Sequence, residues 1–245
     1  MSTMERYFSG ECEAVWAELN CGVDRFGKPI STEDAEAVAW ETMRRVRHNI
    51  EILIPRLTEM GYDFGNHWLK WPSERIGIPW FRGAHVPPDA NIEEKIAFWE
   101  AKAGSIPLAL KAFWREVGSV DLCGIMTHWP RSCHDPLMVW PIDEVFEYYE
   151  YSKYSHSGQP PYTFCASISV DDVMKYTPAG GADYFIDLPE ALADPLLKIE
   201  PNRTTFVNYL RIAFEWGGFP GFKQLGYKDA PMEDIAKLRE GLLSI

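Results

Sequence analysis

Residues 106–122 write a helix and the strand beside it into one short run, and no other stretch of the chain leaves its backbone so little choice. Ser105 is placed to cap a helix, and Pro107 fits the first turn, where a missing N–H leaves no hydrogen bond unmade. Leu110, Phe113, Trp114 and Val117 recur at helical spacing and predict one apolar side. Gly118 stops the helix. Val120, Leu122, Gly124 and Met126 then alternate, so an extended segment turns all four to one face. Two apolar sides in such close succession predict a helix packed on the following strand, which is the nucleus of a fold and not a catalytic site.

Upstream, Val15, Trp16 and Leu19 predict a short helix over 10–19, followed by a loop at Asn20 to Gly22 and Gly27 to Pro29. Ser31 to Asp34 then form a cap and an acidic first turn for a long helix. In it Ala39, Met43, Val46, Ile50, Leu53, Leu57 and Met60 alternate steps of four and three. Pro55 predicts a kink or break there, and Gly61 an end. Arg44, Arg45 and Arg47 fall on its polar side, either as a solvated face or as ion pairs docking the helix onto an acidic body.

Residues 61–91 intersperse Trp68, Trp71, Trp80 and Phe81 with Pro72, Pro79, Pro87 and Pro88 without a period. They read as a connecting loop, wrapped against the body because rings of this size bury much apolar area. The predicted division is therefore a helical extension with its aromatic and proline-rich loop over 1–88, and an α+β domain over 89–245. The fold class is a mixed, mainly antiparallel sheet covered by helices. Its elements are a helix over 92–103, strands at 120–129 and 137–140, a helix capped by Asp143, and strands at 162–170 and 184–188. Helices opening at Thr204-Thr205 and spanning 232–243 complete it.

Ile106-Pro107, Leu110, Phe113, Gly118 and Leu122 resemble the opening helix-to-strand signature of the SUKH superfamily, the Smi and Knr type domain. Asp135-Pro136-Leu137, the run from Ser169 to Lys175 with Asp171-Asp172, Gly180-Gly181 before Tyr184, and Phe206 to Gly217 resemble its later blocks in order. The resemblance covers roughly residues 92–225. It implies an α+β domain used mainly as a binding module, often the immunity partner of a secreted bacterial toxin. The alternatives are an enzyme with a pocket in the α+β domain and a regulatory scaffold of the Smi and Knr type.

A formal net charge of −12 argues against nucleic acid or an anionic membrane as a partner, because phosphate binding needs a basic footprint. Between Arg131 and Glu200 stand 12 acids and 4 bases, a segment suited to steering a cationic protein. No stretch reaches the roughly 18 apolar residues of a membrane span, and no apolar run follows the first residues as in a signal peptide. Five dispersed cysteines without CxxC spacing suit reduced thiols in the cytoplasm, with no disulfide expected.

Several constellations resemble chemistry. Cys133-His134-Asp135 spells nucleophile, base and orienting acid, but neighbours on an extended chain point apart, whereas triad tips must converge. Cys123, His128, Cys133 and His134 match no compact zinc spacing. Asp143-Glu144, Asp171-Asp172 and Asp183 with Asp187 suit caps and turns, and the glycine pairs lack the order of a phosphate loop. No catalytic residue, metal or cofactor is therefore expected. The expected interface joins the rings of Trp129, Trp140, Tyr184 and Trp216 and the carboxylate of Asp135 to an acidic rim of Glu144, Glu147 and Glu150, facing a basic toxin domain.

Overall fold

The computed structural model describes residues 2–65, 82–130, 134–147, 149, 163–175, 181–225 and 230–245. Helices α1 (Thr3–Phe8), α2 (Cys12–Cys21) and α3 (Thr32–Glu59) come first, then β1 (Asp63–Phe64), β2 (His85–Val86), α4 (Ile92–Ala103) and α5 (Leu108–Glu116). Strands β3 (Ser119–Asp121), β4 (Gly124–Ile125) and β5 (Met138–Val139), helix α6 (Ile142–Val145), and strands β6 (Phe164–Val170) and β7 (Asp183–Leu188) follow. Helices α7 (Phe206–Glu215), α8 (Phe222–Leu225) and α9 (Met232–Arg239) end the chain. The fold is α+β with small antiparallel ladders. No helix among the described residues is long and apolar enough to cross a membrane.

The long helix α3 starts at the expected cap, where the Ser31 hydroxyl accepts from the Asp34 N–H at 3.1 Å. It runs through Pro55 without a break. Its Val38, Ala39, Met43, Val46, Ile50, Leu53 and Leu57 are fully buried in one apolar cluster that also takes in α2, α5, α7 and the sheet. Burial reaches beyond that stripe. Glu41, Thr42 and Asn49 are also interior, and each has partners, as buried polar groups must. Thr42 accepts from the Trp16 indole at 3.1 Å and shares a 2.8 Å bond with the Tyr7 hydroxyl. Asn49 exchanges two bonds with Leu243, and Arg45 donates to the Ser244 carbonyl at 2.9 Å. Glu41 accepts from Arg44 and Arg45, and Arg47 reaches Glu116 of α5 at 2.9 Å. The arginine cluster thus docks α3 on the body, with apolar packing beneath it.

The α5-to-β3 turn follows the sequence closely. Pro107 sits one place earlier than expected, as the N-cap, without a side-chain cap from Ser105. Gly118 has φ +85, and a Cβ there would lie 2.3 Å from the Val86 carbonyl oxygen, so only glycine lets β3 leave α5 beside β2. Strand order is β2-β3-β5, all antiparallel, with Val120 opposite Val139. The Trp140 N–H donates to the Ile168 carbonyl at 2.9 Å and ties this ladder to β6, which pairs antiparallel with β7. The strand expected over 120–129 is instead two short pieces. β3 pairs with β5, β4 turns away to pair with β1, and Trp129 lies in a turn. Asp143 is not a cap; Pro141 holds that position for the single turn of α6. Tyr162 and the ring-rich residues 66–81 lie outside the described residues.

Phe113 is fully buried on α5 and meets Phe206 of α7 edge to face, with ring centroids 5.6 Å apart. Phe113→Ala should cost about 3 to 5 kcal/mol of stability, read from the denaturant midpoint. An unchanged midpoint would remove this ring from the core.

Candidate functional site

The chain at Asp135 and the turn and strand from Asp171 to Tyr184, some 40 residues on, meet around one buried charge. Lys175 is 0% exposed, and its ammonium donates to Asp135 Oδ1 at 2.5 Å. Burial alone would push the ammonium's pKa down, but the Asp135 carboxylate beside it holds it above the ordinary lysine range. Tyr184 of β7 donates to Asp135 Oδ2 at 3.2 Å, and its ring lies 4.9 Å from the ammonium. Burial raises the Tyr184 phenol, so it stays a donor. Asp135 has φ +41, a conformation aspartate tolerates better than most residues.

The turn that carries Lys175 is built by Asp171. Its carboxylate accepts from the Met174 N–H at 2.7 Å and the Ala182 N–H at 2.7 Å. A Cβ at residue 181 would sit 2.3 Å from both carboxylate oxygens, which explains the glycine there. The Asp172 N–H donates to the Tyr184 hydroxyl at 3.1 Å. Asp135, Asp171, Lys175, Gly181 and Tyr184 therefore form one closed polar cluster whose groups satisfy one another. Lys175 was not singled out in the sequence, where a lone lysine after a turn carries no signal of burial.

The other expected interface residues separate into interior and surface. Trp129 is buried against Tyr62, Phe219, Phe222 and His134, and its indole donates to Asp234 of α9 at 2.8 Å. Trp216 is buried at the end of α7. With Asp135 and Tyr184 also interior, these groups line no open aromatic groove, because each has its polar tip or ring face turned to the core. Trp140 is half-buried between β5 and α6. Glu147 is exposed, and Glu144 is half-buried with Arg82 at 2.8 Å. Glu150 lies outside the described residues.

Burial raises the Glu144 carboxyl above the ordinary range, Arg82 opposes this, and Glu147, Asp121 and Asp143 push it further up. Among the described residues one arginine and three acids act on the Glu144 carboxyl. Asp143 in turn shares Lys95 with Asp89. Among the described residues, the surface around Trp140 and α6 thus carries more acids than cations.

The chain matches no protein-family model, no curated protein and no solved structure. His134 and Asp135 point into different clusters, His134 stacking on Phe222 at 5.6 Å, so the two do not converge as base and orienting acid; Cys133 lies outside the described residues. His128 pairs with Asp234 at 2.8 Å, and no metal-holding group of side chains occurs among the described residues. A cavity of about 610 Å³ opens elsewhere, between the start of α2 and the end of α7, lined by Glu13, Arg211, Glu215 and Arg239 among others. None of the expected interface residues lines it.

Lys175→Met should cost about 3 to 5 kcal/mol, because it leaves a carboxylate buried and unpaired. Adding Asp135→Asn removes that charge, keeps the acceptor for Tyr184, and should recover at least half the loss in urea denaturation. No recovery would mean that Lys175 acts through packing alone.

Burial holds His134 at about 4, below its ordinary value near 6.5, so the folded protein binds this proton less readily than the unfolded chain. The resulting stability is complete above about pH 6.5 and is lost as pH falls toward 4. By NMR the imidazole should titrate near 4; a midpoint near 6.5 would place it in solvent.

Proposed function

We propose that this protein is a non-enzymatic binding module of the SUKH type, an immunity protein that takes up a basic toxin domain in the cytoplasm. The observation that carries the reading is Glu144, half-buried and paired with Arg82 at 2.8 Å, with Asp121, Asp143 and Glu147 as acidic neighbours among the described residues. Such a site gains most from a cation brought by a partner, which relieves repulsion the protein alone leaves standing. Trp140 beside it offers a rigid, partly exposed ring of the kind that anchors interface centres.

The polar cluster supports the resemblance from a different side. Asp135, the Ser169 to Lys175 run, and Gly181 with Tyr184 are the blocks that carried it, and they meet in one place. Their side chains are engaged with one another and buried, a scaffolding role that leaves recognition to the outer acidic surface. The groups of this cluster are closed to a substrate, and the open cavity between the start of α2 and the end of α7 lies apart from them.

A cationic toxin domain encoded beside the gene for this chain would be the partner to test. Opposite fields should accelerate encounter and be screened over about 8 Å at physiological salt. In stopped-flow binding, the association rate should fall about tenfold as salt rises from low to high concentration, with little change in dissociation. Glu144→Gln with Glu147→Gln should slow association, while Trp140→Ala should mainly speed dissociation. An association rate indifferent to both salt and the glutamine changes would exclude this surface as the binding face.

A further inference from the structure

We propose that α3 pairs two copies of this chain, antiparallel, about a twofold axis at Trp40. The helix is buried on most sides, yet Trp40 is 54% exposed. Glu33, Glu36, Trp40, Arg44 and Arg47 follow one another at steps of three and four and so share one side of the helix. Glu33 and Glu36 are exposed, and the Arg44 and Arg47 side chains are 40% and 41% exposed. This stripe is the outer face left when the rest of α3 packs against α1, α2, α5 and the C-terminal segment.

Its charges are arranged symmetrically about the tryptophan. Acids stand four and seven residues before Trp40, and bases four and seven after it. At the helical rise these lie about 6 and 10.5 Å on either side of the ring. A twofold rotation at Trp40 lays ring against ring, sets Glu36 opposite Arg44 of the second copy, and sets Glu33 opposite Arg47. Parallel pairing would instead set acid on acid and base on base. The pattern therefore selects one orientation and a self-complementary contact.

The arginines are already held in place. Arg44 gives Nε and Nη2 to Glu41 at 2.7 and 3.0 Å, and its side chain stays 40% exposed. Arg47 forms an ion pair with Glu116, Nη1 to Oε1 2.9 Å, and lies 3.7 Å from Glu51 through Nε. Side chains fixed by inner partners lose less freedom on binding, which favours a contact built on them. Neither Glu33 nor Glu36 has an ion pair with a described residue, so their charges remain to be met. The area is one helix face per copy, below the standard interface size, so the dimer should be weak and depend on concentration.

Sedimentation equilibrium of the full chain, from about 5 to about 500 µM at low and high salt, decides it. The apparent mass should rise from 28.1 kDa toward twice that value, and less so at high salt. Trp40→Ala and, separately, Glu36→Arg should each weaken association about tenfold or more. Arg44→Glu alone should be monomeric, but mixed with Glu36→Arg it should form a heterodimer, since each variant repels itself and complements the other. If Arg44→Glu fails to fold after losing its contact to Glu41, the Trp40→Ala and Glu36→Arg results decide alone. A constant mass of 28.1 kDa throughout, or a dimer that both substitutions leave unchanged, overturns the proposal.

Discussion

The burial of α3 is the constraint on which the rest of the architecture depends. A helix of 28 residues hidden on one stripe needs one neighbour, but this one also buries Glu41, Thr42 and Asn49, so it needs neighbours on several sides with matching polar groups. Tyr7 of α1 and Trp16 of α2 meet Thr42, Leu243 meets Asn49, and Arg44 with Arg45 neutralises Glu41. The first and last segments of the chain are thereby fixed to the same helix. Gly218, with φ +99, brings the end of α7 close enough for a Cβ to meet Leu122 and Leu53, so α3 also touches the element that closes the core.

A second constraint acts on the sheet side. The cost of burying Lys175 is offset only because Asp135, Tyr184 and the ring cloud beside the ammonium are positioned at once. That requirement fixes the turn at Asp171, the glycine at 181 and the left-handed backbone at Asp135. A pair of this kind contributes less to net stability than to uniqueness: any other arrangement of these turns would strand a charge in the interior. It also removes Asp135 and Tyr184 from the surface.

The two surfaces that remain differ in kind. Around Trp140, Asp143, Glu144 and Glu147 the acids outnumber the cations, which suits a basic partner of another sequence. Along α3 the signs balance about Trp40, which suits a second copy of the same chain. The surfaces lie on different elements, and occupation of one imposes no residue shared with the other.

The sequence by itself determined the local elements and the apolar faces. The helix at 92–103 is observed as Ile92–Ala103, the cap at Ser31 and the stop at Gly118 are where residue chemistry put them, and Val120, Phe113 and the α3 stripe are buried as their spacing requires. Such features rest on neighbours within a few residues, so periodicity exposes them. The candidate site was legible only in part. Glu147 is exposed and Glu144 half-buried, but Trp129, Trp216, Tyr184 and Asp135 are interior, because a ring or a carboxylate looks the same in sequence whether it faces water or a partner 40 residues away. Only the tertiary structure decided that Lys175 is buried, that the strand after Gly118 splits between β5 and β1, and that Pro55 leaves α3 intact. The first two depend on long-range contacts that satisfy a charge or a backbone edge, and no local pattern encodes them.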